Sequence, residues 1–111
     1  MIAIEPLGTL DAAIRVPGSK SYTQRAMVIA ALAEGESVLR DPLLSEDTLL
    51  LAEALRLLGA GVRTEVAEMT VRGTGGRIAA PQHRIDLGNN GTAMRLLAGM
   101  ASLGAGPIVL T

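Results

Sequence analysis

From the N-terminus, the spacing of apolar and polar positions changes several times within 111 residues, and each change marks an element. Ile2 to Ile4 and Ala12 to Val16 read as short extended segments, separated by a turn at Gly8-Thr9 and closed by Pro17-Gly18. A helix is predicted to begin near Ser21. From Arg25 to Ala33 it is apolar on every face after Arg25, a pattern that predicts burial on all sides, and Gly35 stands where a left-handed helix end falls. Ser37 to Arg40 predicts a strand. Ser45 then offers an N-cap, with Glu46 and Asp47 complementing the helix dipole in the first turn. The helix that follows runs to about Leu58, with Leu51, Leu55 and Leu58 on one face, Leu50 and Ala54 beside them, and Gly59 and Gly61 terminating it. Val62 to Ala67 and Met69 to Gly73 predict a hairpin around Glu68, and Gly73 to Gly76 a flexible loop. Ile85 to Leu87 reads as a short strand entering Gly88-Asn89-Asn90-Gly91. A third helix is predicted from Thr92 to about Leu103, and a last strand over Pro107 to Thr111.

Helices alternating with short strands place the chain in the α/β (α+β) class. The order is one strand-helix-strand-helix-hairpin unit followed by the start of another. Two helices this apolar exceed what the few short strands can cover, so the pattern predicts surface meant for more protein. Composition narrows the chemistry. Hydrophobic residues make up 49% of the chain, yet Phe and Trp are absent and Tyr22 is the only aromatic residue. A stacking platform for single strands is therefore missing, and a formal charge of -1 offers no broad basic face, which argues against nucleic acid as a partner. The lack of Cys removes disulfides, thiolate metal sites and Cys nucleophiles. His83, the only histidine, follows Pro81 between Gln82 and Arg84 and reads as a solvated loop residue. The first residues lack the basic start and long apolar run of a signal peptide, and no apolar stretch reaches the ~18 residues that span a bilayer, so the expectation is a cytoplasmic protein without a membrane partner.

Charge placement is more pointed. Nine of the ten Lys and Arg residues are Arg, and the one lysine, Lys20, stands in Pro17-Gly18-Ser19-Lys20-Ser21. There a glycine lets the backbone approach a ligand, hydroxyls and amides gather at a helix start, and an ammonium adds a full point charge. Arg25 lies one helical turn after Ser21 on the same face, so Lys20, Ser21 and Arg25 form a candidate phosphate cradle. The second turn, Gly88 to Arg95, repeats the design: Gly91 exposes its N–H, Thr92 caps or donates, and Arg95 follows one turn into the helix. Capping alone also places Gly, Ser, Asn and Thr before helices. Neither turn is a nucleotide P-loop, because no Gly-x4-Gly-Lys-Ser/Thr is present.

Pro17-Gly18-Ser19-Lys20-Ser21, followed by Arg25 and an Ala-rich helix, resembles the N-terminal signature of EPSP synthases. Leu87-Gly88-Asn89-Asn90-Gly91-Thr92-Ala93-Met94-Arg95 resembles their second signature. With Ser45-Glu46-Asp47 and Leu57 to Gly61 between them, the likeness extends over essentially the whole chain. It implies a fragment, or one piece of a split enzyme, that transfers the enolpyruvyl group of phosphoenolpyruvate to the 5-hydroxyl of shikimate 3-phosphate with release of phosphate. That step belongs to the shikimate pathway of aromatic amino acid biosynthesis. The implied fold is an inside-out α/β barrel domain of βαβαββ units, helices buried and sheets outside. Residues 1–15 would cross to the second domain, and 16–111 would form part of the first.

The resemblance also implies roles. Lys20 would be catalytic, touching both substrates and assisting proton transfer. Lys20, Ser21 and Arg25 would hold shikimate 3-phosphate; Lys20 and the Gly91 N–H would hold phosphoenolpyruvate. Asn89 and Thr92 would shape the second turn, supported by Arg95. No metal or organic cofactor is implied. An acid/base carboxylate, an Arg-rich clamp beyond Thr111 and a serine cluster lie outside this chain, so its expected partner is the missing C-terminal portion of the same enzyme, and alone it is expected to be inactive. Asn90, where Ala or Ser is more usual, and Leu96, where many members have Pro, depart from the pattern without removing the turn's donors. Two rivals stand beside this reading: the sister transferase acting on UDP-N-acetylglucosamine, which tends to have Ala and Asn around its lysine, and a noncatalytic anion-binding or assembly module.

Overall fold

A computed structural model describes residues 1–6 and 8–111. Among these residues three helices and three strands follow one another as α1 (Lys20–Leu32), β1 (Glu36–Arg40), α2 (Glu46–Leu57), β2 (Gly61–Thr64), β3 (Glu68–Arg72) and α3 (Gly91–Ala101). Each helix has a side-chain cap. Ser19 accepts from the Tyr22 N–H at the head of α1. At α2, Ser45 and Thr48 form a reciprocal capping box, with the Ser45 N–H donating to Thr48 Oγ1 at 2.8 Å. Asn90 caps α3 through its side-chain oxygen. Helix α1 ends at Leu32, and Gly35 takes up a φ of 80° just beyond it, as its position in the sequence predicts.

The strands form one antiparallel sheet in the order β1-β3-β2. In its register Leu39 faces Met69, and Ser37 and Val62 both face Val71. Alternation then separates the faces. Val62, Met69 and Val71 are buried toward the helices, while Glu36, Arg40, Arg63, Glu68 and Arg72 face outward. The hairpin is shorter than predicted: β2 stops at Thr64, because the chain turns where the Glu65 N–H donates to the Glu68 carbonyl and the Ala67 carbonyl accepts from Asp41. Ile85 and Leu87 pair in parallel with residues 109–111 through three backbone hydrogen bonds, which realises the two short strands expected there in minimal form.

Met27, Leu51, Leu55, Leu58, Met69, Val71, Leu87 and Leu97 are fully buried where the helices meet the inner sheet face. Burying each such side chain stabilises by about 1.5–3 kcal/mol. The expected all-round burial of α1 is not met within this chain: it packs on α2, α3, β1 and β3 along one side only, and Ile29 on the other side is 69% exposed. Leu49 and Leu57 of α2 are likewise exposed. The described residues of 1–16 form no strand and are exposed, so the two extended segments predicted there find no strand partner among the described residues, and Arg15 alone reaches across, to Asp41 at 3.4 Å. Residues 73–75 correct the expectation of a free loop. They close the end of α1: the Gly73, Thr74 and Gly75 N–H groups donate to the carbonyls of Gly35, Ala31 and Ala33. Among the described residues no helix is long and apolar enough to cross a membrane.

Candidate functional site

The first glycine turn is built for packing as much as for ligands. A Cβ on Gly18 would lie 2.5 Å from the Asp41 carbonyl oxygen and 2.9 Å from the Leu43 nitrogen, so the bare Cα lets the 41–43 segment dock against the start of α1. The Leu43 N–H donates to Thr23 Oγ1 at 3.0 Å and locks that docking. Gly18 thus meets a packing requirement beside the ligand access expected of it. Lys20, the first residue of α1, points its ammonium at the first turn of α2, with Nζ 2.6 Å from Asp47 Oδ2. The neighbour Lys20 receives is thus a carboxylate. Ser21 is half-buried, and the Arg25 guanidinium lies over the exposed Tyr22 ring, 5.8 Å from its centroid.

The second turn is anchored from below. Asp86 accepts from the Gly88 N–H at 2.8 Å, and the Leu87 carbonyl accepts from Asn90 at 3.1 Å. Asn90 is 3% exposed and saturates three partners. Its Oδ1 accepts from the Ala93 N–H at 3.0 Å and from Gln24 Nε2 at 3.2 Å, while Nδ2 donates to the Asp47 carbonyl at 2.8 Å. Gly91, next in sequence, has its N–H bent toward the Asn89 carbonyl at 3.2 Å, and its own carbonyl accepts from Arg95 Nη1 at 3.2 Å. Thr92 is half-buried beside it.

These contacts close a ring. Lys20 of α1 reaches the side chain of Asp47 in α2; the Asp47 carbonyl holds Asn90 at the head of α3; and Asn90 is held by Gln24, one turn into α1. Three helix starts therefore meet. Each carries a partial positive charge of roughly half a unit from its unpaired N–H groups. At α2 that charge is already met by Glu46 and Asp47 in the first turn, whereas α1 and α3 have no acidic residue there. The two uncompensated starts are the two with the predicted anion-binding residues. Lys20 and Asp47 remain partly exposed, at 50% and 29% of their side chains, so the pair contributes at most about 1 kcal/mol and an incoming phosphate competes with it on good terms.

Lys20 and Gly91 are thus brought to neighbouring helix starts, with Ser21 beside the first and Asn89, Thr92 and Arg95 around the second. Arg25 sits on the outer side of α1 with Tyr22. Sequence reasoning missed the bridge. It takes Asp47 as a dipole partner and Asn90 as a turn residue, both within the stretches that resemble the family but neither as a link between helices, and it passes over Gln24. A signal for Gln24 was present: it lies in phase with Met27, Val28 and Ala31, which makes it a polar residue on the apolar stripe of its helix.

Comparison with known proteins follows the same residues. The family model described as EPSP synthase (3-phosphoshikimate 1-carboxyvinyltransferase) matches residues 4–111. A 3-phosphoshikimate 1-carboxyvinyltransferase of Methanothermobacter thermautotrophicus is 46% identical over 99% of this chain and 26% of its own length. One from Thermus thermophilus is 48% identical over 87% of this chain and 23% of its own. Among solved structures, an EPSP synthase from Acinetobacter baumannii superposes with a TM-score of 0.82 at 36% identity, over 88% of this chain and 23% of that one. The chain spans about a quarter of the length of the relatives it matches. Within that quarter the match takes in both glycine turns and the strands and helices that present them, and the chain belongs to the EPSP synthase family.

Proposed function

We propose that this chain supplies the first part of an enolpyruvyl transferase that joins phosphoenolpyruvate to shikimate 3-phosphate, working in the cytoplasm with the remaining portion of the same enzyme. The observation that carries the proposal is the ring of contacts from Lys20 through Asp47 and Asn90, which joins the chain's one lysine, at the start of α1, to the start of α3, the two helix starts without acidic residues in their first turns. Two such starts suit a pair of substrates that each carry a phosphate. The relatives' names point to the same reaction.

In this reading Lys20 leaves Asp47 and bridges the two substrates, Ser21 and Arg25 hold shikimate 3-phosphate, and the Gly91 N–H turns from the Asn89 carbonyl to the phosphate of phosphoenolpyruvate. Asn89 and Thr92 shape that turn, and Arg95 adds positive charge one helical turn on. The 5-hydroxyl oxygen bonds to the enolpyruvyl carbon as that oxygen's proton is removed and the methylene carbon is protonated. The tetrahedral adduct then expels inorganic phosphate and loses a proton from the same methyl group. Holding two polyanions in contact and stabilising charge as protons move is the work these residues are fitted for. Residues 1–15 pack with the second domain and 16–111 with the first; the exposed Ile29, Leu49 and Leu57 are the seats for the remaining repeats.

The test is to combine this chain with the remaining portion and measure phosphate release that requires both substrates. Release with either substrate omitted, or none from a folded complex, would reject the assignment.

A further inference from the structure

Gln24 has no role in the reaction as laid out above, yet it is fully buried among apolar neighbours at the junction of the three helices. Its Nε2 donates to Asn90, and its Oε1 is buried without a partner. A buried amide left half-satisfied costs stability, and a leucine of similar size would fill the same space without that cost. The side chain is therefore poorly explained by packing. Its orientation is also determined. The Ala93 N–H requires an acceptor and the Asp47 carbonyl a donor, which together fix how the Asn90 amide points; Asn90 Oδ1 then accepts from Gln24, which fixes Gln24 in turn.

We infer that Gln24 is a positioning residue which, through Asn90, sets the start of α3 against α1 and so holds the Gly91 N–H at the distance from Lys20 that phosphoenolpyruvate requires. The inference rests on the reading under Proposed function. Asn90 immediately precedes Gly91, so any slack in Asn90 is passed directly to that donor. Shikimate 3-phosphate is held from α1 itself, by Lys20, Ser21 and Arg25, and is less sensitive to how α3 is set. The pair thus acts selectively on one substrate, which general loosening of the fold would not do.

The experiment uses the complete protein that contains this segment, unmodified and as Gln24→Leu, Asn90→Ser and the double variant. Asn90→Ser keeps a capping oxygen but is too short to reach Gln24 and Asp47. Each single change is expected to raise KM for phosphoenolpyruvate roughly tenfold while KM for shikimate 3-phosphate moves by less than about twofold, and the double variant should be no worse than the worse single. Gln24→Asn is expected to recover less than Gln24→Leu loses, since the shortened amide keeps a donor but falls short of Asn90. Unchanged KM values, equal rises for both substrates, or additive effects overturn the inference. If the leucine variant does not fold, Asn90→Ser decides alone. Failure of the unmodified protein to release phosphate rejects the enolpyruvyl reading itself, and this inference with it, whereas normal release with insensitive variants rejects the inference only.

Discussion

Gly91→Ala separates ligand recognition from folding more cleanly than any other change at the site. Gly91 opens α3, its φ lies outside the left-handed region, and an added Cβ would meet only Arg95 Nη1 at 3.5 Å, an ordinary contact with the movable end of a side chain. Replacing glycine by alanine in a helix interior stabilises by about 0.5–1 kcal/mol, and at the first helical position the gain is smaller. Stability of the complete protein should therefore stay level or rise slightly. Recognition of an anion should not. In the resting chain the Gly91 N–H is bent toward the neutral Asn89 carbonyl at 3.2 Å, a long contact that a phosphate oxygen would displace, since hydrogen bonds to charged acceptors are about twice as strong. A methyl group beside that N–H pushes the phosphate outward and costs one such bond, about 1.5–3 kcal/mol, or roughly a tenfold to hundredfold loss in affinity. Steady-state KM for phosphoenolpyruvate, inhibition by its mimic glyphosate, and a denaturant midpoint give the three readings needed. Unchanged affinity for both ligands removes Gly91 from the site, and a clear loss of stability refutes the claim that the position has room.

Lys20→Met in the complete protein is expected to abolish turnover while shifting stability by no more than about 1 kcal/mol, because the Lys20–Asp47 pair is half-exposed; near-normal rates would defeat its role. Gly73→Ala should destabilise by about 2–3 kcal/mol in a denaturant titration, since the new Cβ would fall 2.1 Å from the Ala33 carbonyl oxygen and 2.5 Å from that of Ala30; an unchanged midpoint would show that the end of α1 is free to move. Ser45→Ala removes half of the capping box on α2 and should cost about 1 kcal/mol, read as a lower thermal midpoint, with Ser45→Asp largely restoring it.

Periodicity and capping made most of the architecture legible. Ser45 with Glu46 and Asp47 marked the start of α2, Gly35 marked the turn after α1, and the Leu51, Leu55, Leu58 face is the buried one. What failed to show was tertiary. The polar alternation of Glu68 to Arg72 marks a half-buried strand, but nothing local says that β3 lies between β1 and β2. Gly18 carries a sequence signature read as ligand access, while the atoms that require it, the Asp41 oxygen and the Leu43 nitrogen, belong to a segment more than twenty residues away. The site was legible as residue types at helix starts and illegible as a network, because Gln24, Asp47 and Asn90 come together only when three helices pack.

The energies rank the contacts that define the site. Fully buried apolar side chains such as Met27, Leu51 and Leu55 each contribute about 1.5–3 kcal/mol, well above the ~1 kcal/mol ceiling of the partly exposed Lys20–Asp47 pair. Packing of the inner helix faces therefore decides where the axes of α1 and α2 lie, and the buried Asn90 bridge decides how α3 starts against them. The ion pair decides neither. It is the most exposed contact in the ring, and it is the one made by the ammonium that the proposed reaction needs. The weakest link thus stands where the proposed reaction brings its substrates in, while Asn90, which holds Gly91 in place, is buried.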